Sequence, residues 1–262
     1  MRVAVVGASG KTGRAVVAAL AARGAGTVGI GRAEWPRLAD ALAGCDAVSV
    51  IAPNLHPDEP ALVAEVLAAA GRAGVRRVAY HSVAAPYAPD MPHHLGKARA
   101  EDLVRRSGLE WTILQPCAYV QNLVPALRSG TDTLTVPYDP AARFGMVDLA
   151  DVAAVTAAVL LDDRHVGATY ELGGPRLVST ADVAEVASRV TGRPVRAERI
   201  TLDTWRAGPG AALDEREREW LEAMFAYYDR HGLPAGGLAV RHLLGAEAHT
   251  LEETLARELA GR

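Results

Sequence analysis

The chain has 262 residues, 50% hydrophobic, with a formal net charge of -3. That is enough apolar material for a large core, and the charge gives no basis for a nucleic-acid surface. Residues 152–161, the longest largely apolar run, are too short to span a bilayer, and a single basic residue ahead of a strand pattern is no secretory signal, so neither a membrane nor export is expected.

The first element read along the chain is a buried strand, Val3-Ala4-Val5-Val6, followed by Gly7, Gly10 and Gly13 and then a helix over residues 15–22. Strand, glycine turn and helix aim free backbone N–H groups at a phosphate. Gly7 permits the sharp turn, Gly10 lets a pyrophosphate approach the backbone, and Gly13 lets the helix lie close. A P-loop would need a glycine five positions before Gly10, where Val5 stands. The arrangement is therefore read as a dinucleotide turn, with Ser9, Lys11 and Thr12 joining the three glycines in the cofactor site. A second strand over residues 27–30 ends at Gly31-Arg32, the point that faces an adenosine ribose; an arginine there favours NADP(H) over NAD(H), with Arg14 in reach to assist.

A short helix over 36–43 and a strand over 47–51 follow. The latter ends in a loop carrying Pro53 and Asn54, assigned to the cofactor side. A helix over 60–73, a strand over 77–82 ending at Ser82, a helix over 93–107 and a strand over 111–115 closed by Pro116 complete an alternating pattern. The expected fold is α/β, a doubly wound parallel Rossmann sheet. Arg76-Arg77 and Arg105-Arg106 read as solvated pairs. Beyond residue 119 the rhythm loosens. The pattern predicts a helix over 119–127, short strands over 133–136 and 144–147, a helix over 149–161 capped by Asp148, a strand over 168–172, a helix running to 190 capped by Ser179 or Thr180, a helix over 214–230 and a terminal helix over 251–259. Residues 1–172 are assigned to the nucleotide domain, with 116–145 contributing to the substrate pocket, and 173–262 to a smaller, mostly helical covering region.

Cys45 and Cys117 are the only cysteines, which fits a reducing cytoplasm without a disulfide. No His-Glu-x-x-His or paired-cysteine motif occurs, so no metal is expected. Of 28 basic residues, only Lys11 and Lys97 are lysines. Both stand in motifs, where the shape and pKa of lysine matter as well as its charge.

The second motif is Ser82 with His93-His94-Leu95-Gly96-Lys97 and Glu101. On a helix, His93, Lys97 and Glu101 share one face. Short-chain dehydrogenases carry Tyr-x-x-x-Lys on this helix and a serine at the preceding strand end; here His93 stands at the tyrosine position. Together with Gly7-x-x-Gly10-x-x-Gly13, Gly44-Cys45-Asp46, Lys97-x-x-x-Glu101, Ser107-Gly108-Leu109-x-Trp111-Thr112-Ile113-Leu114-x-Pro116 and Val147-Asp148-x-x-Asp151, the chain resembles the NmrA-like branch of atypical short-chain dehydrogenase/reductases. Two departures stand out. Only residues 33–45 separate Arg32 from Asp46, so one edge strand is deleted, and Gln115 stands where the family often has arginine.

The resemblance implies an NADPH-dependent reductase of a carbonyl, quinone or enone, a cytoplasmic monomer or homodimer acting on a small molecule. Its catalytic candidates are Lys97, His93 and Ser82. Ser82, Lys97 and Pro116 lie beside the nicotinamide, and Tyr87, Tyr119 and Asn122 line the substrate pocket. Because the tyrosine is missing and the family includes members without turnover, two alternatives stand beside it: a non-catalytic NADP(H) redox sensor that signals through a partner, and a cyclase or isomerase that keeps the cofactor pocket.

Overall fold

The valine-rich stretch Val3-Ala4-Val5 is fully buried and forms the middle of β1 (Arg2–Val6) at the heart of a parallel sheet. The computed structural model describes residues 1–260. The chain continues through α1 (Lys11–Ala22), β2 (Gly26–Ile30), α2 (Leu38–Leu42), β3 (Ala47–Val50), α3 (Glu59–Ala73), β4 (Arg77–His81), α4 (Pro92–Arg105) and β5 (Glu110–Pro116). It goes on through α5 (Val124–Arg128), β6 (Thr133–Val136), α6 (Leu149–Leu161), β7 (Ala168–Leu172), α7 (Thr180–Thr191), β8 (Arg196–Arg199), α8 (Leu202–Ala207), α9 (Glu215–His231), α10 (Leu238–Leu244) and α11 (Leu251–Leu259).

Six strands form the main sheet in the order β2-β1-β3-β4-β5-β7, and every neighbouring pair is parallel. The sheet ends at β2, in keeping with the expected loss of an edge strand. After β2 the chain returns to the other side of β1, which puts the topological switch point between β1 and β3. Ligands of open α/β sheets bind at such a point, outside the carboxyl ends of the strands. One face of the sheet is packed by α1 and α6 through Val16, Leu20, Val152 and Val155. The other is packed by α2, α3 and α4 through Leu42, Val63, Val66 and Val104. A third apolar cluster joins α5, β6, α7 and α11 around Leu127, Val136, Val183 and Leu255, with Phe225 and Tyr228 of α9 packed on it.

Several expectations are corrected. Arg77 is 3% exposed: its guanidinium bonds Glu110 and the Leu160 carbonyl, tying β4 to β5 and α6. The helix expected over 119–127 is split into a 3-10 turn at Val120–Asn122 and α5, with Pro125 in the first turn of the second piece. Instead of a strand over residues 144–147, Phe144 and Val147 form isolated bridges to Val178, Leu233 and Tyr119, three separate partners with no shared ladder; Gly145 between them admits the close passage of the Ala235 backbone, since a Cβ there would lie 2.1 Å from its carbonyl oxygen. β8, α8 and α10 have no counterpart in the expected elements; β8 pairs in parallel with β6 as a small second sheet.

Candidate functional site

The glycine turn is built by sterics. Gly7 has a φ of 81°, in the left-handed region, and its N–H bonds the Ile30 carbonyl at 2.9 Å. A Cβ on Gly7 would lie 2.4 Å from the Ile51 carbonyl oxygen, and one on Gly13 would lie 2.1 Å from that of Gly7. Gly13 thus lets α1 close against its own turn. The first helical bond of α1 runs from the Arg14 N–H to Gly10 at 2.9 Å, so the preceding N–H groups point out of the helix end. No side chain caps Gly10 and no acidic residue lies in the first turn. The end of α1 is open to an anion, and its partial positive charge favours one.

Around this turn the chain gathers residues from far away. Lys11 Nζ donates to Asn122 Oδ1 at 2.6 Å and lies 5.6 Å from the centre of the Tyr119 ring. Desolvation lowers the Lys11 pKa, an effect opposed by Glu258 of α11. Tyr119 is pushed up to about 12, by burial first, against a bond from Thr12. Arg14 donates to the Ser9 carbonyl within the turn. Arg32 is exposed just beyond β2, where Glu34 turns back to accept from the Gly31 N–H at 2.8 Å. Pro53 and Asn54 are exposed in the loop after β3, and Pro116 is buried as the last residue of β5.

The second group lies at the end of β4. Ser82 is 5% exposed; its N–H bonds the Leu114 carbonyl at 2.8 Å, and its Oγ is buried without a partner. Lys97 Nζ donates to Glu59 Oε1 at 2.7 Å and approaches the His81 carbonyl at 3.4 Å. The same Glu59 oxygen accepts the Tyr80 hydroxyl at 2.7 Å. Burial, then the Glu59 carboxylate, hold the Tyr80 pKa well above the phenol range. His81 reaches Thr156 of α6 at 3.1 Å.

His93 and His94 are buried, 6% and 0% exposed, and not on an open helix start. Burial first, and Lys97 next, take His81 and His93 down to about 3. His94 falls to about 4 through burial, although its bond to the Ala85 carbonyl opposes this. All three rings are neutral at pH 7. The His93 ring lies 5.8 Å from that of Trp220. Trp220 also carries Arg216 over its face at 4.6 Å, and Arg216 donates to the Leu55 carbonyl at 2.8 Å. Helix α9 thereby touches both the loop after β3 and the start of α4.

Glu101 belongs to a different environment from Lys97 one turn away. It is fully buried and accepts from Gln115 at 2.8 Å, Arg105 at 3.1 Å and Tyr87 at 3.2 Å. Gln115 therefore fills the position often held by arginine while Arg105 of the same helix supplies the charge. Tyr87 is not brought to Lys97: it is 62% exposed and lines an outer groove of about 500 Å³ with Pro60, Leu95 and Arg99. Glu59 is the residue that motif reading misses at this site. The only sequence signal for Glu59 is an acidic residue just ahead of Pro60.

Cys45 and Cys117 are both buried. Cys117 is raised to about 12 by burial, which makes it a poor nucleophile. Among the described residues, no group of three His, Cys, Asp or Glu side chains could hold a metal ion, and no helix is long and apolar enough to cross a membrane.

A parallel sheet whose strand order reverses beside an uncapped glycine turn is the fold of the dinucleotide-binding α/β proteins. The chain belongs to the NmrA-like family, whose model matches residues 32–259. It is 33% identical over 213 residues to an NAD(P)H azoreductase of Xenophilus azovorans, covering 79% of this chain and 73% of that protein. It is also 33% identical over 226 residues to a (4-alkanoyl-5-oxo-2,5-dihydrofuran-3-yl)methyl phosphate reductase of Streptomyces griseus, covering 77% of this chain and 78% of that one. Among solved structures, an NADPH-dependent quinone oxidoreductase of Escherichia coli complexed with NADPH superposes with a TM-score of 0.81 at 21% identity, over 98% of this chain and 99% of that one.

Proposed function

We propose that this protein is an NADPH-dependent reductase of a small conjugated acceptor, an enone, quinone or azo compound. The observation that carries this reading is the pairing of an anion-ready glycine turn with a half-buried ammonium, Lys97, at the end of β4. The names of two relatives at 33% identity, an NAD(P)H azoreductase and a reductase of a (4-alkanoyl-5-oxo-2,5-dihydrofuran-3-yl)methyl phosphate, support the same class.

The N–H groups of the α1 start and Lys11 hold the pyrophosphate, and exposed Arg32 takes the ribose 2′-phosphate. Pro53 and Asn54 border the adenosine side, and Ser82, Lys97 and Pro116 border the nicotinamide. The unpartnered Ser82 Oγ and the uncapped start of α1, free of acidic residues, fit such a ligand. When bound, the cofactor supplies hydride. Lys97 stabilises the negative charge that develops on the acceptor and passes it a proton. Ser82 orients the acceptor atom through its free hydroxyl. His93, neutral at pH 7, serves with Trp220 as a wall for a flat substrate. Tyr119 and Asn122 sit at the glycine-turn end of the cleft. Residues 173–262, with 116–145, cover the cleft, with α9 as the nearest element.

Single-turnover oxidation of bound NADPH against a panel of quinones, enones and azo dyes tests the proposal. Turnover that falls at least 100-fold in Lys97→Ala is expected. Tight NADPH binding with no oxidation by any acceptor would replace the reductase with a cofactor sensor.

A further inference from the structure

Glu59 opens α3, where a carboxylate is favoured by the helix end. Such residues ordinarily reach water. Here Asp58 already caps the helix by accepting from the Ala61 N–H at 3.0 Å, and Glu59 turns inward, 3% exposed. Its Oε1 is shared by Lys97 and Tyr80 at 2.7 Å each, while its Oε2 is buried without a partner. The Lys97 side chain is 12% exposed. A buried charge needs a partner or it is given up, and these two groups are each other's.

The remaining groups around Lys97 offer no substitute. From β4 come Tyr80, a neutral phenol whose ring centre lies 5.8 Å from Nζ, and His81, neutral and contributing only its carbonyl. From α4 itself come His93 and His94, both neutral. Arg216 of α9 lies behind His93 and repels a positive charge there. Glu101 is engaged with Arg105 and Gln115.

We propose that Glu59 is the positioning residue of this site: its carboxylate stabilises the half-buried Lys97 ammonium that it contacts, and it aims that ammonium at the end of β4. The proposal rests on the reading of Lys97 as the group that meets the acceptor. It also accounts for His93 at the tyrosine position of the short-chain dehydrogenase motif. With the three imidazoles uncharged and the Tyr80 hydroxyl already donated to Glu59, Lys97 is the cationic acid at this point, and Glu59 is the side-chain carboxylate in contact with it.

The chain has two lysines, Lys11 and Lys97, so full-length protein carrying 13Cε-labelled lysine gives two resonances, and Lys11→Arg assigns them. The Lys97 resonance is titrated in the parent protein, Glu59→Gln, Glu59→Asp and Tyr80→Phe. The proposal expects the midpoint to fall by at least one pH unit in Glu59→Gln, a tenfold loss in proton affinity. Glu59→Asp is expected to fall in between, and Tyr80→Phe, which keeps the carboxylate, to show no fall. The alkaline limb of kcat/KM is expected to move with the midpoint. An unchanged midpoint in folded Glu59→Gln overturns the proposal. Should that variant not fold, an unchanged midpoint in Glu59→Asp overturns it. The resonances need no turnover, so a parent protein that never oxidises NADPH would refute the reductase reading while this comparison still gives its own answer.

Discussion

Lys11 Nζ donates to Asn122 Oδ1 at 2.6 Å, joining the first turn of α1 to the loop after β5 across 111 residues of chain. The bond holds a cation beside the uncapped helix end and ties the proposed phosphate site to the segment after β5 that carries Tyr119 and Asn122. Lys11→Ala is expected to raise the dissociation constant for NADPH about tenfold, or ~1.4 kcal/mol, and to flatten its dependence on salt. Asn122→Ala, which frees the ammonium without removing it, should cost about threefold, or ~0.7 kcal/mol. Fluorescence titration of NADPH at two ionic strengths checks both.

Gly13 has no room for a side chain: its Cβ would stand 2.1 Å from the Gly7 carbonyl oxygen and 2.7 Å from the Ala8 Cα. Both atoms are backbone, so the turn itself must move. Gly13→Ala is expected to destabilise the protein by about 3 kcal/mol, the upper end for overpacking, and to abolish dinucleotide binding. Gly24, where a Cβ would meet nothing within 4 Å, is the contrasting position. Gly24→Asn should be close to neutral despite its φ of 74°, because asparagine tolerates that region. Urea denaturation of the two variants measures the difference.

Much of this frame is legible in the order of residues alone. A valine run, three glycines and a helix mark the strand, turn and helix that open the fold because each residue acts on its neighbours. Lys97 is legible for the same reason, as part of a helical motif. Glu59 is not, since its partners Tyr80 and Lys97 come from β4 and α4, and nothing local distinguishes a buried first-turn carboxylate from a solvated one. Arg77 misleads for a related reason: one of two adjacent arginines turns inward to Glu110 and Leu160, contacts set by the sheet. The polar strand Arg196–Arg199 has an alternating pattern too weak to announce a strand, and it forms only by pairing with Thr133–Val136.

Three buried imidazoles make stability depend on pH. His81, His93 and His94 have pKa values of about 3, 3 and 4 in the fold, against ~6.5 for a histidine in an unfolded chain. Below that value the unfolded chain binds protons that the folded chain refuses, so stability is full above about pH 6.5 and falls as the pH drops toward 4. With three such groups at about 1.4 kcal/mol per proton, the slope approaches ~4 kcal/mol per pH unit in that window. Urea midpoints between pH 7.5 and 5 should fall accordingly, and His93→Gln should remove about a third of the slope.

Calorimetric titration of the full chain with NADPH and NADH, alone and in Arg32→Ala, tests the central claim most directly. One site per chain is expected, with NADPH bound at least tenfold more tightly than NADH and that preference largely lost in the variant. Folded protein that binds neither dinucleotide would contradict the assignment of the glycine turn, and a preference for NADH would contradict the role given to Arg32.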